Sequence, residues 1–541
     1  MSVYDELPLY PACHTPLSPL RFLERARRYF GDRVGVIAGE RQWTWREVGM
    51  RATRLASALH RLGVRRGDTV SVLAPNGIAI FEAHFGVPIA GAVLNNINTR
   101  LEAATISYIL QHCEAKVLFV DSEFADLARK AVSSLENPPI LVDIFDPACS
   151  ANERIGVQEY EELLAVEVEA QLPREPLSEL QPISLNYTSG TTGRPKGVVY
   201  DHRNAFVESI GNMLSLGVHG EVVTIWAVPI FHANGWCYLW PMAGIGACNV
   251  LLRRPTGKSV LQAIAEHRGT HVLGAPIIAQ LMAEVPRSER PSLSHPVRML
   301  TAGAPPTPAH FVAMEELGVQ LDQGYGLTEV WGPAIFRTPD PAWSGLPPLE
   351  RGRLKTRQGI PNLVLDDMVV VDPATGAPVP QDGTTLGEVL FRGNIVMRGY
   401  LKDPQATATA FAGEYFHSGD LAVVHTDGAM ELKDRSKDII ISGGENVSSI
   451  EIENVLCEHP SVASAAVIGV PDRKWGEVPW AFVELKPGAT LAFDELLAHC
   501  RTVLAGFKVP KGVTFGPIAR TATGKVQKFL LRSSWDGEGD S

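Results

Sequence analysis

Apolar residues along the first third of the chain recur with two alternating periods. Thr44-Trp45-Arg46-Glu47 has the spacing of a capping box, and the helix it opens carries Val48, Leu55, Leu59 and Leu62 before stopping at Gly63. The short apolar run Thr69-Val70-Ser71-Val72-Leu73 predicts a buried strand, and a second helical stretch follows around Phe81 to Phe85. A helix near Ala104 to His112 precedes another strand, Ala115-Lys116-Val117-Leu118-Phe119-Val120. Strands alternating with helices predict βαβ units and parallel sheet. Residues 134–182, rich in Pro, Glu and Leu, interrupt the pattern and predict a connecting stretch with one helix near Val157 to Leu172. Beyond them, Val297-Arg298-Met299-Leu300-Thr301 reads as a strand, and residues 360–400 are strand-like with glycine and proline turns. Near the C-terminus a β-branched strand begins at Ile439, and a helix spans Ile450 to Glu458, with Glu451 and Glu453 in its first turn complementing the helix dipole. Ala465 to Gly469 and Ala481 to Leu485 read as further strands.

At 541 residues the chain exceeds one ordinary hydrophobic core, so two or more domains are expected. A hydrophobic content of 45% with 20% charged residues is that of a folded soluble protein. The net charge of −11 argues against a nucleic-acid partner or an anionic membrane surface, both of which call for basic patches. Anionic substrates must then meet local cations. Seven cysteines are scattered without a CxxC pair, so neither a disulfide framework nor a zinc site is indicated. Met1 to Glu6 shows no signal-peptide pattern, no apolar run reaches the length of a membrane span, and Gly539-Asp540-Ser541 is not a peroxisomal address. The cytoplasm is the expected compartment. The oligomeric state stays open, a homodimer included.

The densest chemistry lies in Tyr187-Thr188-Ser189-Gly190-Thr191-Thr192-Gly193-Arg194-Pro195-Lys196-Gly197, directly after the apolar-leaning run Ile183-Ser184-Leu185-Asn186. Eleven residues supply four Ser/Thr hydroxyls, three glycines and two cations. Glycines let successive N–H groups converge on an oxyanion, hydroxyls add donors, and Lys196 adds a point charge suited to phosphate. A Walker A loop is excluded, because Pro195 stands where its second glycine belongs and Gly197, not Ser or Thr, follows Lys196. The helix expected from His202 to Leu216 would put this loop near a helix N-terminus, where phosphate is favoured.

This loop closely resembles the signature of the adenylate-forming enzymes, the superfamily of acyl-CoA synthetases, luciferases and nonribosomal adenylation domains. Further motifs follow in that family's order. Pro229-Ile230-Phe231-His232-Ala233-Asn234-Gly235-Trp236 resembles its P-x-F-H-x-x-G segment, which implies His232, Gly235 and Trp236 at the acyl group. Gly303-Ala304-Pro305 resembles the turn whose backbone lies against adenine, Gly303 also bordering the acyl site. Gln323-Gly324-Tyr325-Gly326-Leu327-Thr328-Glu329 matches Q-x-Y-G-x-T-E: Tyr325 for adenine, Thr328 for the α-phosphate, Glu329 with Thr188 for magnesium. Tyr415-Phe416-His417-Ser418-Gly419-Asp420 supplies Asp420 as the ribose carboxylate, with Tyr415 where the family has Trp. Asp434-Arg435-Ser436-Lys437-Asp438 resembles the hinge, with Arg435 reaching the nucleotide and Lys437 as pivot. Gly443-Gly444-Glu445 resembles the turn that faces the CoA thiol, and Thr521-Ala522-Thr523-Gly524-Lys525 supplies the mobile catalytic cation Lys525.

The resemblance implies an α/β protein. It would have a large N-terminal domain of βαβ-type subdomains (1–434), a hinge (435–437) and a smaller mobile C-terminal α+β domain (438–541), the adenylate-forming enzyme fold. It implies ATP, Mg2+ and coenzyme A as cofactors and a small carboxylic acid as substrate, with Lys525, Thr188, Glu329 and His232 carrying the catalysis. Ser189, Gly190, Thr191, Thr192, Gly193 and Lys196 would bind the nucleotide with Gln323, Gly324 and Gly326. Within the superfamily, Ala83-His84-Phe85-Gly86-Val87-Pro88 through Leu94-Asn95-Asn96-Ile97-Asn98-Thr99-Arg100-Leu101 resembles short- and medium-chain acyl-CoA ligases, the 3-methylmercaptopropionate-CoA ligases among them. Trp236 and Trp331 would crowd an acyl pocket. Loading of a carrier protein, or a fatty or aromatic acid as substrate, are the competing readings.

Overall fold

The capping box at Thr44 forms as the residues require: Thr44 Oγ1 accepts from the Glu47 N–H at 3.3 Å, and Glu47 accepts in return from the Thr44 N–H at 2.7 Å. The helix Trp45–Arg61 that follows buries Trp45, Val48, Leu55 and Leu59 against the helix Ile78–Ile89. These elements come from a computed structural model. It describes residues 6–535 except 9, 11, 147–148, 150–152, 168–177, 189–194, 219, 338–339, 436, 443–444 and 521–525.

Four sheets arise from the described strands. In the first, Thr69–Leu73 lies parallel between Val93–Asn96 and Ala115–Asp121, with Ile140–Ile144 beyond and Pro182–Tyr187 parallel to Val93–Asn96. In the second, Cys248–Leu251, Val223–Trp226, His271–Leu273, Val297–Thr301 and Val319–Tyr325 run parallel side by side. Val297–Thr301 and Val319–Tyr325 each bury all but one residue, as strands of a parallel sheet covered on both faces do. The third sheet is antiparallel: Asp367–Val371, Gly387–Arg392, Phe416–Val424 and Met430–Arg435. The fourth belongs to a smaller C-terminal unit with its own core of Ile440, Ile452, Leu456, Val467, Val483 and Leu496. An α/β body followed by a compact α+β unit is the architecture expected from the sequence.

Three local expectations differ. The helix after Pro182–Tyr187 does not follow the glycine-rich loop directly. Gly197–Asp201 first returns antiparallel along that strand, Tyr187 facing Gly197 and Pro182 facing Asp201. The N-terminus of the helix His202–Leu216 therefore sits at the opposite end of this hairpin from the loop. Its exposed amides are capped by Asp201 and Asn204, so the helix dipole does not serve the loop. In the connecting stretch the expected helix is shorter: a two-residue strand, Gln158–Glu159, precedes the helix Tyr160–Ala165. Glu453 does not act as a first-turn dipole partner. It is engaged by Lys528 at 2.8 Å and by the Val467 N–H at 2.8 Å.

Candidate active site

In open sheets with parallel strands, ligands bind outside the carboxyl ends of the strands. Four parallel strands here release a sequence motif at that end. Pro182–Tyr187 leads into Thr188, whose N–H donates to Lys196 O at 3.0 Å and closes the base of the loop. Val223–Trp226 leads to His232, Val297–Thr301 to Gly303, and Val319–Tyr325 to Gly326 and Glu329. Ser189, Gly190, Thr191, Thr192 and Gly193 of the loop lie outside the described residues, as do Gly443, Gly444 and Lys525.

Two positions show why glycine stands there. Gly303 has φ +89°, a left-handed conformation with open space around it. A Cβ on Gly326 would lie 1.7 Å from Gly332 O, so only glycine lets these two backbone segments touch. Ala304 and Pro305 follow Gly303 half-buried. Gln323 is buried, and with its NH2 turned toward residues 355–356 its amide donates to Thr356 O at 3.1 Å and Lys355 O at 3.2 Å. That side chain is committed to holding the 355–358 segment.

Tyr325 and Asp420 meet although 95 residues separate them: the Tyr325 phenol donates to Asp420 Oδ2 at 2.6 Å. Antiparallel pairing sets Arg435 opposite Asp420, and Arg435 Nε holds the other carboxylate oxygen at 3.2 Å. Adenine-, ribose- and hinge-motif residues thus form one hydrogen-bonded group. Glu329 Oε1 accepts from the Tyr400 phenol at 2.9 Å, and burial raises the Glu329 carboxyl above its ordinary range. The Lys196 ammonium lies 4.7 Å from the centre of the Tyr400 ring. Tyr400 bridges the loop cation to the carboxylate, and it stands in no motif singled out in the sequence. Its pairing on Gly197–Asp201 is a long-range strand contact with no local signal. The Thr328 carbonyl accepts from the Tyr200 phenol.

Among the described residues no cluster of three or more His, Cys, Asp or Glu side chains is arranged to hold a metal. Magnesium needs no such cage when phosphate oxygens and water complete its octahedron, and a single carboxylate such as Glu329 fits it.

Residues Ala233 to Cys237 form a left-handed turn, with φ of 32°, 45°, 57°, 53° and 62° in order. Four of the five carry side chains, and each such position costs about 1–2 kcal/mol. The fifth, Gly235, is required: a Cβ would meet Trp226 and Leu239 at 2.7 Å. His232 precedes the turn. Its Nε2 is buried without a hydrogen-bond partner among the described residues, and burial pushes the imidazole down to about 3, so it is neutral. Trp236 is buried within the turn. Trp331 is fully buried and lies flat on Tyr200, ring centres 4.1 Å apart, with Trp240 at its edge. Glu208 is fully buried, neither carboxyl oxygen has a hydrogen-bond partner among the described residues, and burial holds its acid well above the usual range. Lys437 is exposed in the turn after Met430–Arg435, and Glu445 pairs with Ser442 in antiparallel register.

Such a convergence of nucleotide-type motifs defines an adenylate-forming enzyme, and comparison with known proteins agrees. The model of the "AMP-binding enzyme" family matches residues 22–401, and that of the "AMP-binding enzyme C-terminal domain" matches residues 451–525. The chain belongs to the AMP-binding enzyme family and is an acid–thiol ligase of the acyl-activating type. It is similar to an acetate–CoA ligase of Humulus lupulus, 45% identical over 98% of this chain and 96% of that protein. It is also similar to an acetate/butyrate–CoA ligase of Arabidopsis thaliana, 43% identical over 98% of this chain and 96% of that one. Among solved structures, an anthranilate CoA ligase in complex with anthranoyl-AMP superposes with a TM-score of 0.85 at 28% identity, covering 99% of both chains. The Arabidopsis relative is named as peroxisomal, so the expected cytoplasmic placement gains nothing from this likeness. Among the described residues no helix is long and apolar enough to cross a membrane.

Proposed function

We propose that this enzyme joins a short- to medium-chain carboxylic acid to coenzyme A through an acyl-adenylate. The observation that carries the reading is the convergence at the strand ends. Thr188 bonds Lys196, Lys196 and Glu329 both meet Tyr400, Tyr325 bonds Asp420, Asp420 pairs with Arg435, and the strand before Gly303 lies beside the one that ends at Tyr325. In the first half-reaction an oxygen of the acid attacks the α-phosphorus of ATP and pyrophosphate leaves. In the second, the CoA thiol attacks the acyl carbon and AMP leaves. Asp420 accepts the ribose hydroxyls, steadied by Tyr325 and Arg435. Gln323 is the proposed nucleotide residue preceding Tyr325, its amide engaged in this structure with Thr356 O and Lys355 O. Lys196 stands at the polyphosphate with Ser189 to Gly193. Mg2+ would be held by Glu329 and Thr188, and it supplies charge neutralisation on the phosphates.

Lys525 is the proposed cation that neutralises charge shared by carboxylate and α-phosphate. Gly443, Gly444 and Glu445 are the proposed approach for the thiol. The proposed division is 1–434, 435–437 and 438–541, with rotation about Lys437. Most of this chemistry is positioning and electrostatics.

The short acyl limit is supported by Trp236, buried in the turn after His232, by Trp331, buried against Tyr200 and Trp240, and by the acids named for the two plant relatives. 3-Methylmercaptopropionate remains the candidate proposed from the sequence, and neither relative names it. A panel of acetate, butyrate, 3-methylmercaptopropionate, benzoate and palmitate, assayed for CoA-dependent AMP release, tests the reading. Preference for palmitate would overturn the short limit. Lys525→Ala should abolish adenylate formation while retaining the fold, and unchanged ATP–pyrophosphate exchange would remove Lys525 from its role.

A further inference from the structure

The left-handed turn Ala233 to Cys237 is a conformation its own residues disfavour, so contacts from outside must hold it. The side chain placed to do so is Asn234, fully buried inside the turn. Its Oδ1 accepts from Ser184 Oγ at 2.9 Å and from Asn186 Nδ2, both on the strand Pro182–Tyr187. Its Nδ2 faces His84 Nε2 at 3.2 Å.

The tautomer of His84 follows from its partners. Nδ1 lies 2.7 Å from Ile80 O and must donate to it. Nε2 is then a bare acceptor, and the amides of Asn96 and Asn234 both donate to it at 3.2 Å. A proton on Nε2 would oppose two N–H groups, and burial lowers this imidazole to about 4 in any case. Two more bonds fasten the surroundings: Asn212 Nδ2 donates to Trp236 O at 3.1 Å, and Trp240 Nε1 donates to His84 O at 3.1 Å. The amide oxygens of Asn96, Asn186 and Asn212 have no hydrogen-bond partner among the described residues, so the bonds made by Asn234 and His84 carry the arrangement of this buried network.

We propose that Asn234 and His84 are positioning residues for acyl selection. They hold the left-handed turn so that Trp236 closes the acyl space, and they tie that wall to the strand that leads into Thr188. The inference rests on the proposed reading of Trp236 as the acyl wall, and it assigns the limit on chain length to residues that touch no substrate. Released from its tether, the turn relaxes toward ordinary backbone, Trp236 swings, and longer acids enter.

The test uses the full-length enzyme with acetate, butyrate, hexanoate and octanoate, measuring kcat and KM for each acid beside a thermal melt. Asn234→Gly is the informative variant, because glycine accepts φ near 45° without strain while the tether is lost. His84→Gln offers an amide in place of the imidazole acceptor and should fall between wild type and His84→Ala. The expected result for Asn234→Gly is a rise of about tenfold or more in the hexanoate-to-acetate ratio of kcat/KM, the scale of one methylene's discrimination. Trp236→Ala separates the two ideas. If Trp236→Ala leaves the ratio unchanged, the acyl-wall reading fails and the inference with it. If Trp236→Ala shifts the ratio and neither Asn234→Gly nor His84→Ala does, the wall stands and the positioning role is overturned.

Discussion

Tyr325 donates a 2.6 Å hydrogen bond to Asp420, and both side chains are buried. One residue ends a strand of the parallel sheet and the other lies in the antiparallel sheet, so the bond also joins two parts of the body. Charge-assisted bonds of this kind contribute more than neutral ones. Tyr325→Phe should therefore lower stability by about 1–3 kcal/mol, seen as a lower thermal midpoint, and should raise KM for ATP more than KM for the acid. A thermal midpoint equal to wild type would show that Asp420 is held by Arg435 alone.

Tyr400 gives Glu329 a hydrogen bond that favours the ionised carboxylate, against burial that disfavours it. Removing the phenol removes the favourable part only. In Tyr400→Phe the Glu329 carboxyl should rise further, so the acid limb of the kcat/KM profile for ATP should move to higher pH. A limb that stays in place or moves down would mean that Glu329 does not act as a carboxylate toward the nucleotide.

What the sequence made legible divides along one line. Motifs whose residues are contiguous stand out in the sequence, because backbone and side chains act together over a few positions: Thr188 to Lys196, of which 189–194 lie outside the described residues, Tyr325 to Glu329, and Asp420. Functions assembled across strands were invisible. Tyr400 reaches Glu329 over 71 residues, and Asn234 reaches His84 over 150. Gly197 to Asp201 misled differently. Its run Gly-Val-Val-Tyr-Asp is β-branched enough for a strand, and that strand carries the helix N-terminus away from the loop. The core was easier where a parallel strand buried on both faces is an apolar run, as at Val117 to Val120.

Glu208 is an acid that burial keeps protonated, with its unfolded value near 4.5. Between that value and its raised folded one, the folded state binds a proton that the unfolded chain has released. Stability contributed here is therefore lost as pH rises above about 4.5. Glu208→Gln removes the titration while keeping the shape. Its thermal midpoint should gain on wild type progressively as pH is raised from 5 to 8. A constant difference over that range would show that Glu208 titrates at its ordinary value.

Acid-dependent ATP–pyrophosphate exchange in the absence of CoA measures the central claim most directly, because exchange requires a reversible acyl-adenylate. The account predicts exchange with acetate or butyrate, none without an acid, and AMP with acyl-CoA as products once CoA is added. Release of ADP and phosphate, or acyl-CoA formation without any exchange, would contradict it.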